Sequence, residues 1–391
     1  MKPIEDQSLF RACKILVLCG GMWRGNIPNW PIAHQKLYKV FLRGAQFAYF
    51  FCLPSLVLSL WVNVDQDNEK AISVLKNITF VVVIFCKMII IQSRPVTMLI
   101  EAASEKEQQA ILSEDPQISE IHRRHVVYTE FVVKSIMLCT FLAGLAYVVG
   151  DLYLANEFYK LHPNAAPTDP KPHSIYFWFP FNPDEYYKIA LTYEFVHIVQ
   201  TVIYNGASHA VVNSAIIFVK VELKILEYEI RHMMSKPNLS NLTPAQLMKI
   251  HIRKHQELIK WVCKFNDSFK YIILLEYSVV SLTLASTLTE ILQGIKMVFN
   301  GIFFLLSTLS LFILSWNANE IIVTSVFDLS DALYHFPWYE LDKEAQELVL
   351  FMMLRCKRSL NISNGPFGFL TLRGAVSRLK LAYSVVSVLS R

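Results

Sequence analysis

The sequence predicts an all-α protein that crosses a membrane seven times, and three observations carry that expectation. Apolar residues fill 53% of the 391 positions and charged residues only 18%, where a soluble domain has roughly 25% charge. The mean hydropathy is positive, +0.35. Apolar runs recur at about the 20-residue length that a helix needs to cross a hydrocarbon core. Glycine (12) and proline (16) are too few for a collagen-like or low-complexity chain. No internal repeat is visible, which gives an inverted-repeat transporter no support.

Taken in order, residues 1–38 form an N-terminal segment with a short apolar stretch around Cys13–Cys19. It is too short to span, so it reads as an interfacial or re-entrant helix, with an ordinary amphipathic surface helix as the alternative. Arg11 and Lys14 interrupt residues 9–20, and no small-residue site follows before Pro28, so a cleavable signal is not expected. Spans are expected at 40–62, 71–91, 127–150, 189–219, 271–292 and 297–317, with a seventh at 366–390 broken by Arg373, Arg378 and Lys380. The expected divisions are 39–219 (helices 1–4, with an outer loop at 151–188), 220–270, 271–323 (helices 5–6), 324–365 and 366–391. In 220–270, apolar residues such as Val221, Ile225, Leu226, Leu258 and Trp261 recur at helical spacing among basic ones. These read as helices 4–6 extended beyond the bilayer into a cytosolic anchor, with a membrane-surface helix as the alternative. The amphipathic stretch 341–360 and the polar break 361–366 split the seventh helix into 7a and 7b.

Basic residues flank the span ends on one side: Lys36, Lys39, Arg43, Arg123, Arg124, Lys220, Lys224, Lys264 and Lys270. The positive-inside rule then places the N-terminus in the cytosol and the C-terminus outside. That is the reverse of a G-protein-coupled receptor, the alternative reading, whose acidic-Arg-Tyr and Asn-Pro-x-x-Tyr motifs are absent. The net charge of +5 is small and scattered, which argues against nucleic acid. Seven cysteines without paired spacing argue against disulfides and zinc. His122/His125 and His251/His255 have ligand-like spacing but sit in basic stretches, where solvated helix faces are expected. No HExxH, GxGxxG, P-loop or nucleophile elbow occurs, so neither enzymatic activity nor a cofactor is expected.

The C-terminal third carries the most specific pattern. Ser325…Ala332-x-Tyr334…Trp338-Tyr339 is followed by Arg355, a polar turn, Gly368-Phe369, and Leu379-Lys380-x-Ala382-Tyr383-Ser384. In this order these elements resemble the insect odorant receptor family, in its odorant-tuning subunits. Residues 172–195 look like that family's second outer loop and 18–23 like its N-terminal Gly-x-Trp element. Cys356-Lys357 and Asn317 depart from the family pattern. The resemblance implies an odorant-gated, non-selective channel for monovalent and divalent cations in the plasma membrane of sensory neurons. It implies a tetramer formed with a shared co-receptor subunit, each subunit lending its last helix to the pore.

On that last helix, Lys380, Tyr383, Val386, Ser387 and Ser390 share a mixed polar stripe, opposite Leu381, Val385, Val388 and Leu389. The resemblance places a hydrophobic gate on Val386 and a second constriction on Ser390; Val386 is expected to be the tighter ring member, with Leu389 or co-receptor residues completing closure. A lipid-packed helix with back-bonded serines is the alternative. For the ligand, the outer halves of four spans are the candidates. Span two offers Phe80, Val81 and Ile84, and span three Phe141, Gly144, Tyr147 and Val148. Span four offers Tyr193, His197, Thr201 and Tyr204, and span six Phe299 and Phe303. This mostly aromatic set with few polar groups suits a small volatile molecule.

Overall fold

The computed structural model describes residues 8–389, except 24–29, 65–67, 163–165, 167–168, 174, 235–241, 293 and 295–296. Eleven α-helices and no strand occur among the described residues, with one isolated bridge between Ser363 and Phe369.

The short α1 (Arg11–Cys19) buries Cys13 and Val17. It ends in a turn where the Gly21 and Met22 N–H groups bond to the Leu18 and Val17 carbonyls. Gly21 there has φ +63°, a left-handed conformation that glycine adopts without steric cost. α2 (Ile32–Asn63) and α3 (Asn68–Ile91) follow. The stretch after α3, read from sequence only as a connection, contains α4 (Arg94–Ile111), amphipathic with Pro95 in its first turn. Its polar face had masked the periodicity of Val96, Leu99, Ile100 and Ala103, which are buried.

The three longest helices are α5 (Pro116–Leu161), α6 (Tyr187–Arg231) and α7 (Pro244–Leu292), of 46, 45 and 49 residues. At about 1.5 Å per residue each is roughly twice the hydrocarbon thickness. α5 continues to Leu161, so the loop expected at 151–188 begins later. α8 (Met297–Val323) passes through a π-helical turn at Thr324–Asp328 into α9 (Leu329–His335). Then come α10 (Lys343–Cys356) and α11 (Leu372–Leu389).

α11 starts at Leu372 rather than 366, because a tight turn occupies the preceding residues. Asn364 N–H donates to the Gly368 carbonyl at 2.8 Å and Leu370 N–H to Ile362 at 2.9 Å. Asn266 of α7 clamps this turn, accepting from Ser363 N–H and donating to the Asn361 carbonyl, each at 2.9 Å. On α11 the stripe Ala375, Leu379, Ala382 packs inward. Leu381, expected on a packed face, is instead 48% exposed, and Tyr383 is 69% exposed.

Among the described residues, five helices are long and apolar enough to cross a membrane: α2, α3, α5, α7 and α8. α6 and α11 fall outside that test, and α6 does so for a physical reason. It is the centre of the bundle, flanked by α1, α3, α5, α7 and α8, so its buried Glu194, His197, Ser208, Asn213 and Ser214 meet protein, not lipid. Asn317 is one such partner, its amide N–H donating to Asn213 at 2.9 Å while its carbonyl accepts from Tyr128 OH at 2.8 Å. The lipid is met by residues such as Trp61, 82% exposed, and Phe47 and Phe131, also exposed.

Candidate functional site

A cavity of about 190 Å³ lies between α3, α5, α6, α7 and α8. Helix direction orders its wall. The residues nearest the 169–186 loop include Lys76, Tyr147, His197, Leu284 and Phe303, and those at the opposite, basal end include Lys87, His209, Glu276 and Leu314.

The loop closes one end. Ile175 lines the cavity, and Phe177 packs edge-on against His197 and Tyr193, ring centroids 5.2 and 5.0 Å apart. Polar contacts fix its path: His173 Nδ1 lies 2.7 Å from the Glu194 carboxylate, and Tyr187 OH donates to the Pro172 carbonyl at 2.6 Å. Trp178 and Ser55 of α2 are joined through Ser55 OH to the Trp178 carbonyl at 2.7 Å.

Of the residues expected in the pocket, Phe80, Val81, Gly144, Tyr147, His197, Thr201 and Phe303 line this cavity. The others lie elsewhere. Ile84 is fully buried in the core and Phe141 is 57% exposed on the outer surface. On α5 the lining stripes are Cys139, Ala143, Tyr147 and Thr140, Gly144. These are i, i+4 series that exclude Phe141; Val148 continues the second series one turn beyond Gly144 but does not line the cavity. Tyr193 and Tyr204 flank the cavity, Tyr193 against the loop and Tyr204 edge-on to Tyr49 at 5.0 Å. Phe299 packs on Tyr153. His197 Nδ1 sits 3.0 Å from the Cys52 thiol and its ring stacks on Tyr49.

Two features were missed from sequence. α7, not expected to contribute, supplies Glu276, Tyr277, Val279, Val280, Thr283 and Leu284. The cavity also reaches past the outer half to a charged floor. There Glu276 Oε1 lies 2.8 Å from Lys87 Nζ and 2.8 Å from His209 Nε2, and Lys87 donates to Asn205 Oδ1 at 2.9 Å. Lys87 and Glu276 also border a second void of about 10 Å³, room for about one water. Unexplained single charges at 87 and 276 in apolar runs were the available signal.

Of the last-helix residues, Tyr383 and Ser387 are described. The side chains of Val386 and Leu389, and all of Ser390, lie outside the described residues. The expectation of solvated histidines is corrected: His122, His251 and His255 are buried where α4, α5, α6 and α7 converge. No group of three or more His, Cys, Asp or Glu side chains among the described residues is placed to hold a metal.

The family model described as 7tm Odorant receptor matches residues 67–383. Odorant receptor 10 of Aedes albopictus is 27% identical over 211 residues, which is 51% of this chain and 56% of that protein. The aligned stretch thus spans little more than half the length of that curated relative. The solved insect olfactory receptor OR5 from Machilis hrabei superposes with a TM-score of 0.81 at 13% identity, covering 97% of both chains. Its structure in complex with eugenol gives 0.80 at 14% identity, again over 97% of both. At that identity the likeness is one of fold.

Proposed function

The chain belongs to the 7tm odorant receptor family, and from that premise we propose that it is the odorant-binding subunit of a heteromeric, odorant-gated, non-selective cation channel. The cavity carries the ligand half of this reading. It lies between five helices of the bundle, is lined mainly by apolar and aromatic side chains with a few convergent polar ones, and is bordered by a loop that its own contacts hold in place. A small volatile molecule in this space touches five helices at once, so binding can bias their relative positions.

The last helix supports the channel half. Its inward stripe is narrow, while Tyr383 and Lys380 point away from their own subunit. Assembled with co-receptor subunits as a tetramer in the sensory-neuron plasma membrane, this outward side lines the path for monovalent and divalent cations. Val386 on the same helix is the hydrophobic gate, since an apolar ring closes a narrow pore by dewetting. The N-terminus is cytosolic in this arrangement.

The test is co-expression with the co-receptor and current recording through an odorant panel. An evoked current that disappears in Val386→Arg, with surface expression intact, supports the reading. A current indifferent to that substitution removes the gate from this helix. Ligand uptake without conductance replaces the channel with a transporter.

A further inference from the structure

The floor of the cavity needs a physical account. Lys87 and Glu276 have side chains only 7% and 10% exposed within two apolar spans, where a lone charge is costly. Pairing removes most of that cost, yet a buried ion pair confers little stability beyond that of apolar residues filling the same space. Stability alone therefore does not explain charges at this place. They form the wall of a cavity, where a third molecule can meet them.

The geometry defines what that molecule is. Glu276 Oε1 is shared between Lys87 Nζ and His209 Nε2 at 2.8 Å each. Lys87 gives a second N–H to Asn205 at 2.9 Å. An ammonium has three N–H groups, and among the described residues two of them have acceptors. The third is free to take an acceptor from the cavity side. Lys87 and Glu276 cancel in charge, so a carboxylate or an ammonium arriving here would leave a net charge in a low-dielectric site. Away from this floor the lining includes Phe80, Leu284 and Phe303, which suits an aryl or alkyl body.

We propose that Lys87, held by Glu276 and Asn205, is a specificity-determining pole that selects neutral ligands bearing one carbonyl or hydroxyl oxygen over hydrocarbons of the same shape. This rests on the reading of the cavity as the odorant site. Lys87, Glu276, Asn205 and His209 come from α3, α7 and α6, so an oxygen bound to Lys87 also inserts itself into the contact joining three helices.

The test uses the full chain in lipid nanodiscs and shape-matched pairs: acetophenone against α-methylstyrene, and benzyl alcohol against ethylbenzene. Apparent dissociation constants come from ligand-dependent melting. They are measured for wild type and for the double variant Lys87→Met/Glu276→Gln, which removes both charges together and so strands neither. Lipid partitioning of each compound is common to both proteins and cancels in the ratio of ratios. A hydrogen bond to a charged donor is worth a preference of about tenfold or more. The oxygenated member should lose at least that much of its advantage over its hydrocarbon partner in the double variant. An advantage that survives intact overturns the pole but leaves the cavity as a ligand site. If no member of either pair binds wild type, the cavity reading itself fails.

A second measurement does not depend on the variant folding. The infrared band of bound carbonyl-13C acetophenone on wild type should lie below its position in hexane, as for a carbonyl accepting from an ammonium. An unshifted band overturns the proposal.

Discussion

Gly144 of α5 faces α6 beside the cavity: a Cβ there would stand 2.5 Å from Val202 Cγ2. Valine is stiff at χ1, so the clash passes to the helix spacing instead of relaxing in a flexible side chain. Gly144→Ala should destabilise the chain by about 1–3 kcal/mol, read as a lower Tm. An unchanged Tm would mean the two helices are not held this closely. Basal to the apolar spans, burial and then the Arg355 cation push the buried His255 down to about 4. A depressed folded-state pKa stabilises above the unfolded value and is lost as pH falls, here between about 6.5 and 4. Glu222 acts in the opposite sense, since burial raises its carboxyl to about 6. It favours the fold at lower pH and loses that contribution as pH rises through about 6. His255→Gln should therefore flatten the fall in Tm between about pH 6.5 and 4, and a slope identical to wild type would show that His255 does not titrate there. Phe80, Gly144, His197 and Thr201, chosen from the outer halves of their spans, do line the cavity. Lys87 and Glu276 could not be joined, because they are separated by 189 positions and a solitary charge in an apolar run carries no sign of its partner.

The elements were legible wherever hydrophobic period and length agreed, which covers the cores of α2, α3, α5, α7 and α8. α6 was legible by length, although its polar stripe meets protein. Less legible was what happens beyond the bilayer, where contacts distant in sequence decide the structure. Three ion pairs join α6 to the α8–α9 rod: Lys220–Glu320 at 3.1 Å, Lys224–Asp328 at 2.7 Å and Arg231–Asp331 at 2.7 Å. The outer two pairs are equally spaced on both elements, 220 to 231 and 320 to 331, and the middle partner Asp328 is the last residue of the π-helical turn at Thr324–Asp328. Ser325 of that turn also accepts from Leu360 N–H at 3.1 Å, which ties the rod to the segment after α10. Partly exposed pairs of this kind are worth at most about 1 kcal/mol each. A double-mutant cycle on Lys224 and Asp328 should return a coupling within that bound that shrinks with added salt. A coupling several times larger, or insensitive to salt, would contradict this placement. The clamp made by Asn266 is worth more, because its loss strands a backbone N–H and a carbonyl in the turn before α11. Asn266→Ala should cost about 1–3 kcal/mol and raise amide hydrogen exchange over 360–371. Unaltered exchange there would leave the start of α11 without its explanation.

For the whole molecule the decisive question is which surface meets lipid and which meets water. The exposed aromatic and aliphatic side chains of α2 and α5, Trp61 and Phe131 among them, form a surface suited to hydrocarbon. α11 breaks that rule. Its outward side combines Tyr383 with the exposed Lys380, while Ala375, Leu379 and Ala382 face their own chain. A lysine open to hydrocarbon at that depth would cost at least ~2.5–3.5 kcal/mol, and no acceptor for its ammonium is seen among the described residues. An aqueous path between subunits removes that cost. The prediction concerns water access, tested by cysteine labelling of the assembled receptor with a membrane-impermeant thiol reagent. The background replaces the exposed Cys19 and Cys263 with serine so that they do not report. Lys380→Cys and Tyr383→Cys should then be modified, faster when odorant is present, whereas Phe51→Cys, on the exposed face near the middle of the first span, should stay unmodified because lipid excludes both water and reagent. Equal protection of all three would place the outer side of α11 in lipid and remove it from the pore, whatever the ligand cavity binds.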